Sequence, residues 1–391
     1  MRNDVSHAIT ETGLALIAES GPRAASVRGI ADRAGLPSPT LQHHYPTKAL
    51  LYRAIYAAAV ERHCDLSRAA LTGLTALAPS HPLSLEGATA LLGTWLAKGR
   101  AETLVILDLL ARAAREADYA DLAREWQART TSVLLDTLRC PAVEAPFLIE
   151  LLVGLTLTST VPQRASEFDM LNREVIAHAL GDRSLSEHGR WRRLFWEAAP
   201  PERGEATAER PQRGSIQAML DAGVTIMAEA GAEALTYRNV AKRASLSVSS
   251  VQHAFPTRSE LVLGIYREVR RLFSDPFRSA QIGAEFDLDP TAAYTDMIVG
   301  RRAGEAPLVL ASCELFLTAA WEEDLARHAW EMRLQRGMLL HDRAVPADFL
   351  PHTLSLWTLG LSLVQLSQHH EDPMAAVSTS IASGLALIGA T

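Results

Sequence analysis

The sequence predicts an all-α protein made of two copies of one helical unit. Three observations carry this. Ala and Leu are abundant while aromatic residues are only 6% of the 391 positions, which favours helix over sheet. Residues 21–47 recur as residues 231–257 at a constant offset of 210, and the match runs without a gap from Ala8/Ala218 to Tyr56/Tyr266. Across residues 7–56, 18 of 50 aligned positions are identical. Each copy is also punctuated by Gly, Ser, Thr and Pro at the spacing of short helices. A repeated run of short helices around a tight turn reads as two copies of one reading head in a single polypeptide.

The elements of the first head follow in order. A first helix is predicted over about residues 5–20, with Ile9, Gly13, Leu16 and Ile17 on one face. Gly21 ends it, as Gly231 does in the copy, in the C-cap role that suits glycine. Ser26 and Thr236 cap second helices over about 27–34 and 237–244. Gly35-Leu36-Pro37 makes a tight turn. Ser38 caps a short third helix with Pro39 at its first position, where a missing N–H costs nothing. Thr47 and Thr257 cap a long fourth helix, and Thr257 with Glu260 forms a capping box. Two short helices joined by a turn, braced before and after, form a helix-turn-helix. Leu36, Leu41 and Tyr45 face the brace, leaving Thr40, Gln42, His43 and His44 outward.

After each head comes an Ala/Leu-rich body that repeats more faintly. Asp121-Leu122-Ala123-Arg124 matches Asp324-Leu325-Ala326-Arg327 at an offset of 203, and Leu151–Leu157 resembles Leu356–Leu363. The changed offset places insertions or deletions in loops. Residues 198–214, polar and rich in Pro and Gly, read as the linker. The domain organisation is therefore a head at 1–48, a body at 49–197, the linker, a second head at 215–258 and a second body at 259–391.

Bulk properties narrow the function. The composition, 48% hydrophobic and 21% charged, is that of a chain with a large core. The longest apolar runs, 148–161 and 353–366, fall short of the roughly 18 residues needed to cross a bilayer and suit buried helices. The start of the chain lacks the pattern of a signal peptide. Cys64, Cys140 and Cys313 are scattered and show no metal spacing, which predicts reduced thiols and a cytoplasmic protein. Net charge is −7, but residues 1–60 carry +2 and residues 210–275 carry +3, leaving −12 on the rest. Mildly basic heads on an acidic body fit a nucleic-acid partner for the heads. No HExxH, GxSxG or Walker pattern appears, and the adjacent pairs His43-His44 and His369-His370 cannot share a helix face. No enzyme activity, catalytic residue, metal or cofactor is expected.

The run Gly21 to Leu51, with Ser-Val-Arg-x-Ile-Ala-x-x-Ala-Gly-Leu followed by Thr-Leu-x-x-His-Tyr-Pro-Thr-Lys, resembles the DNA-binding head of the TetR/AcrR family of bacterial transcriptional regulators. Gly231 to Leu261 fits the pattern less closely. The resemblance implies an all-helical fold with a three-helix head, a connecting fourth helix and a ligand-binding and dimerisation body, here twice. Gln42 and Gln252 stand where the family usually has Tyr. The second head has Ser245 for the turn glycine and Arg258 for Lys48, which points to weaker binding there.

Carried onto matching positions, the resemblance sets the third helix of each head in a major groove. Ser38, Thr40, Gln42 and His43, and Ser249, Ser250, Gln252 and His253, would then meet bases or phosphates. Lys48 and Arg258 would meet phosphate at the start of the fourth helix, with Arg28 and Arg238 as further candidates. The bland alternative is a set of solvated polar residues, with Arg28 and Arg238 in surface ion pairs. The family's last two helices build a four-helix dimer interface. The matching segments, 145–160 with 167–180 and 347–367 with 373–389, predict an intramolecular pseudo-dimer reading an imperfect palindrome, with a homodimer of chains as the alternative. The resemblance also implies a repressor released by a small, largely apolar effector. Trp95 and Trp126, and Trp321 and Trp330, are candidates for its pockets or are simply core. A scaffold protein with degenerate heads is the competing class.

Overall fold

A computed structural model describes residues 2–77, 84–138, 140–161, 165–181, 190–191, 193–194, 214–273, 289–300, 308–336 and 350–388. The predicted linker lies outside these residues apart from Gly214. All regular structure among them is helical. The first unit has α1 (Arg2–Ser20), α2 (Val27–Ala34), α3 (Ser38–His44), α4 (Lys48–Leu77), α5 (Ser84–Leu96), α6 (Arg100–Ala113), α7 (Ala120–Leu138), α8 (Glu144–Ser159) and α9 (Ala165–Ala179). The second has α10 (Gly214–Ala230), α11 (Tyr237–Arg243), α12 (Val248–Ala254), α13 (Arg258–Phe273), α14 (Pro290–Val299), α15 (Leu308–Trp321), α16 (Ala326–Gln335), α17 (Leu350–Leu366) and α18 (Pro373–Ile388).

The heads repeat their core positions, second-helix caps and one ion pair where the sequence repeats. Ile9, Ile17, Ile30, Leu41 and Ile55 fill the first core, and Met219, Met227, Val240, Val251 and Ile265 fill the second. Ser26 Oγ accepts from Gly29 N at 3.0 Å, and Thr236 Oγ1 accepts from Asn239 N at 3.2 Å. Arg33 grips Glu19 through two bonds of 2.5 and 2.7 Å. Arg243 does the same to Glu229 at 2.6 and 3.0 Å. The capping box closes in both directions: Thr257 Oγ1 accepts from Glu260 N at 3.1 Å and Glu260 Oε2 accepts from Thr257 N at 3.3 Å.

Small departures from expectation have local causes. α1 begins earlier than residue 5, and Leu14 is buried where Leu16 is only partly covered. α3 starts at Ser38 with Pro37 in the cap position, so proline's fixed φ rather than the Ser38 hydroxyl sets the start. In the second head Ser247 is the cap, its Oγ accepting from Ser250 N at 3.0 Å. The turn shows the sharpest contrast. Gly35 has φ 65°, and Ser245 is held at φ 56° in the same left-handed turn. Glycine adopts that conformation freely, whereas a residue with a Cβ is strained by roughly 1–2 kcal/mol.

The units meet through the two apolar runs singled out in the sequence. α8 and α17 cross face to face, with α9 against α17 and α18 against α8. The crossing is at Gly154 and Gly360. A Cβ on Gly154 would sit 1.9 Å from Leu356 O, and one on Gly360 would sit 1.9 Å from Glu150 O. Beside the crossing, the buried Glu150 accepts from Trp357 Nε1 at 2.9 Å and from Gln365 Nε2 at 2.8 Å. A second polar link lies beyond it. Arg333 of α16, fully buried, donates to Ser159 and Asn172 of the first unit and stands 4.5 Å from the Phe168 ring centre.

Candidate nucleic-acid interface

α3 and α12 present the predicted reading residues. Gln42 and His43 are exposed and Ser38 and Thr40 half-buried, while Ser249, Ser250, Gln252 and His253 are all exposed. Leu41 and Val251 anchor the opposite faces of these helices with no exposure at all. A single buried residue per helix is enough, because one apolar anchor fixes the rotation of a seven-residue helix and turns its other faces outward. His44 faces the brace rather than solvent: Ser6 Oγ lies 3.0 Å from its Nδ1. The predicted outward position of His44 is thus replaced by a polar contact to α1, which sequence spacing does not show.

The cations flanking the reading helices differ between heads. Lys48 is 57% exposed, 4.9 Å above the Tyr52 ring and 3.9 Å from Glu233 Oε2. Arg258 is 31% exposed and its guanidinium is bonded to Glu322. Lys48 therefore keeps its ammonium in water, where a phosphate can reach it, while Arg258 is partly committed to a carboxylate. Arg28 and Arg238 are exposed, and Arg28 lies 3.6 Å from Asp32 one turn along α2, a pair too solvated to hold it firmly.

The four tryptophans take different positions. Trp95 and Trp126 lie deep in the first body, packed in a triangle with His63, with ring centres 4.8 and 6.0 Å from it and 6.4 Å from each other. Trp95 Nε1 donates to Ser67 Oγ at 2.9 Å and Trp126 Nε1 donates to His63 Nδ1 at 3.2 Å. Burial pulls the His63 imidazole down to about 3, so it is neutral, and its buried Nε2 has no partner. Trp330 is buried in the second body. Trp321 instead reaches across to the first unit, donating from Nε1 to Ala18 O at 3.2 Å and packing on Gly21.

The sequence reading missed the charged junction between the heads and the bodies. Arg112 of α6 bonds Glu233 of the second head at 3.1 Å and Glu116 at 3.2 Å, and its Nε donates to Tyr56 OH at 3.0 Å. Tyr56 OH in turn donates to the buried Asp108 at 2.5 Å. Burial pushes the Asp108 carboxyl up to about 6, with Arg112 and the Tyr56 bond opposing it. Arg115 pairs with Glu314 of the second body at 2.6 Å, and Glu314 also accepts from Ala232 N at 2.9 Å. The pairs Arg112–Glu233, Arg115–Glu314 and Ala232–Glu314 are 82 to 199 residues apart in the chain, so no local motif marks them.

The geometry is that of two helix-turn-helix heads with exposed polar reading helices, each followed by a helical body. No helix among the described residues is long and apolar enough to cross a membrane. No group of three His, Cys, Asp or Glu side chains among them could hold a metal ion. No curated protein matches the chain. Residues 9–55 and again residues 219–265 match the family model for bacterial regulatory proteins of the tetR family. The two matches cover the two heads at the offset of 210 seen in the sequence, and DNA-binding transcription regulation by helix-turn-helix heads is what that family does. The two heads of the chain thus match the tetR family, which supports a TetR-family regulator built of two tandem TetR-like units.

Proposed function

We propose that this chain is a ligand-responsive repressor in which one polypeptide supplies both halves of the DNA-binding dimer. The observation that carries the reading is the unlike pairing of α8 with α17. Gly154 and Gly360 set the register. In that register Leu151 is the counterpart of Trp357 and Ser159 the counterpart of Gln365. If α8 paired with α8 of another chain, Glu150 would face Leu151 in place of the Trp357 indole and the shorter Ser159 in place of Gln365. Losing a donor to a buried carboxyl costs about 1–3 kcal/mol, so the first unit prefers the second unit to its own copy. A short linker adds effective concentration to that preference.

Thr40, Gln42 and His43 of α3, and Ser250, Gln252 and His253 of α12, then read two half-sites of an imperfect palindrome in successive major grooves. Ser38 and Ser249 start these helices close to the backbone. Lys48, Arg28 and Arg238 supply phosphate contacts, and Arg258 does so once released from Glu322. A small, largely apolar effector enters the bodies and biases the head positions by binding one arrangement better than the other. Support for this comes from the orphan His63 Nε2 packed beside Trp95 and Trp126, a single hydrogen-bond donor without a partner in an apolar core. Trp330 takes the corresponding part in the second body. We assign the chain no reaction and no cofactor, and place its work on DNA in the bacterial cytoplasm.

The test begins with selection of bound DNA from a random pool, followed by sedimentation of the complex on the shortest selected site. One chain per site with two unequal half-sites is expected, and affinity falls with salt. Two chains per minimal site would overturn the single-chain dimer. Failure to enrich any sequence would favour the scaffold reading.

A further inference from the structure

We propose that the junction between the heads is a binding site for a small oxyanion, a carboxylate of a few carbons or inorganic phosphate, held by Arg23, Arg115 and Arg258. It is separate from the effector pocket of the bodies. Its regulatory consequence rests on the DNA-binding reading above, while the binding itself does not.

A cleft of about 120 Å³ opens where the first helix of each head ends, walled by both units. That is room for roughly four waters, which suits a small anion rather than a drug-sized ligand. Its walls carry both charges, so the decisive question is which groups still lack partners. Five carboxylates line it beside four arginines. The carboxylates are satisfied. Glu233 takes Arg112 and Lys48, Glu116 takes Arg112, Asp108 takes the Tyr56 hydroxyl, Glu314 takes Arg115 and the Ala232 amide, and Glu322 takes Arg258. The donors are not. Arg115 Nη1 and Arg258 Nε are buried without an acceptor. Arg23, at the rim, bonds only main-chain oxygens, to Glu233 O at 2.8 Å and Leu235 O at 3.5 Å. Partial burial and the nearby positive charge of Arg258 pull the Arg23 guanidinium down from its ordinary value. The unmet demand is for acceptors, and a carboxylate or a phosphate meets guanidinium donors with charge-assisted bonds.

The position gives the anion leverage. Arg23 follows α1, and Gly21 packs on Trp321 of the second body. Arg258 opens α13, and Gly231 packs on Arg115 of the first body. A ligand touching Arg23, Arg115 and Arg258 therefore bridges both units at the base of both heads. It binds the arrangement that brings the three together, and so it is linked to head spacing and to DNA affinity.

The full chain is titrated with sodium acetate and with inorganic phosphate in a calorimeter, ionic strength held constant with chloride. A saturable heat is expected with one of the two anions, and the anion that gives it identifies the source. Arg23→Gln weakens it about tenfold, the loss of one charge-assisted bond. Crystals soaked in bromoacetate, or in arsenate as the heavy analogue of phosphate, place the anomalous peak between Arg23, Arg115 and Arg258. A saturated site changes operator affinity in the wild type and not in Arg23→Gln. Absence of saturable heat with both anions, an unchanged heat in Arg23→Gln, or a peak elsewhere overturns the site. Anion binding without any DNA binding would leave the site standing and remove the repressor reading.

Discussion

Gly154→Ala tests the α8–α17 crossing with a single methyl group. The added Cβ would lie 1.9 Å from the Leu356 carbonyl oxygen, 3.0 Å from its carbon and 3.1 Å from Gly360 N, all backbone atoms that no rotamer change can move aside. To bring that Cβ out to ordinary contact with the carbonyl the two helices must separate by roughly 1.5 Å. A gap of that size forfeits about half or more of the dispersion attraction of every pair across it. The pairs affected include the Phe147 and Trp357 rings, 5.3 Å apart, and the fully buried Leu151, Leu155, Leu356 and Leu363. Separation also stretches the bonds from Trp357 and Gln365 to Glu150. Overpacking costs of 1–3 kcal/mol are usual, and with backbone on both sides about 3 kcal/mol is the reasonable figure here. For a chain of this length unfolding as a unit, that lowers Tm by about 4 °C. Gly360→Ala should behave alike, since its Cβ meets Glu150 O at the same distance. The double variant should lose much less than the sum, because one separation relieves both clashes. The assay is thermal unfolding of the full chain followed by circular dichroism. If either single variant melts within about a degree of wild type, or the two losses simply add, the close crossing is not how the units are held.

Three further outcomes are expected. Ser245→Gly relieves the left-handed strain and stabilises the second head by about 1 kcal/mol, while Gly35→Ser costs the first head a similar amount; thermal melts that move in the opposite directions refute the turn argument. Burial pushes the Glu150 carboxyl up to about 7. Because that folded value lies above the unfolded one near 4.5, the fold disfavours the charged form: this contribution is fully present below about pH 4.5 and lost as pH rises through 7, up to about 3 kcal/mol. Glu150→Gln removes the dependence, so the variant should gain on wild type from pH 5 to pH 8, and parallel Tm curves would sink the assignment. Lys48→Ala should weaken DNA binding and reduce the salt slope by about one, with Arg258→Ala changing it less because Glu322 already holds that guanidinium. Equal effects measured by anisotropy titration would show that the two heads grip phosphate alike.

The heads were legible in the sequence because their determinants are local. Ser26, Thr236, Thr257 and Glu260 cap helices that begin within three residues of them, and each does so in the structure. Gly21, Gly35 and Gly231 all take the positive φ that their helix-ending places imply. The same locality let Ser245 be picked out as the awkward turn residue. The two apolar runs were legible as buried helices, since nothing but burial suits α8 or α17. Partner identity was not legible. That Trp357 bonds Glu150 across 207 residues, or that Trp321 caps the first head across 303, follows from how two faces dock, and a periodicity carries no information about the opposing face. For the same reason four tryptophans that look equivalent in sequence separate into a core pair around His63, a core residue and an inter-unit strut.

The contacts between the units explain what fusion permits. In a dimer of identical chains every interface contact occurs twice, residue i on j and j on i, so a residue cannot specialise for one side. Here the symmetry is kept in the heads and at the Gly154–Gly360 crossing, and abandoned in the contacts around them. Gly21 rests on Trp321 while its counterpart Gly231 rests on Arg115. Arg23 has Glu233 as its counterpart at the offset of 210, and the two are joined by a hydrogen bond. Arg333 enters the first unit with no carboxylate among the described residues bonded to it, a cost that a twofold interface would incur twice. Each of these contacts is satisfied only by the other unit, so neither unit presents a surface complementary to itself. A chain cut in the linker should therefore yield two halves that recombine with each other and do not form stable homodimers. Mixing the purified halves and weighing the product by sedimentation decides it, since homodimers of either half would show that the asymmetry is incidental to pairing.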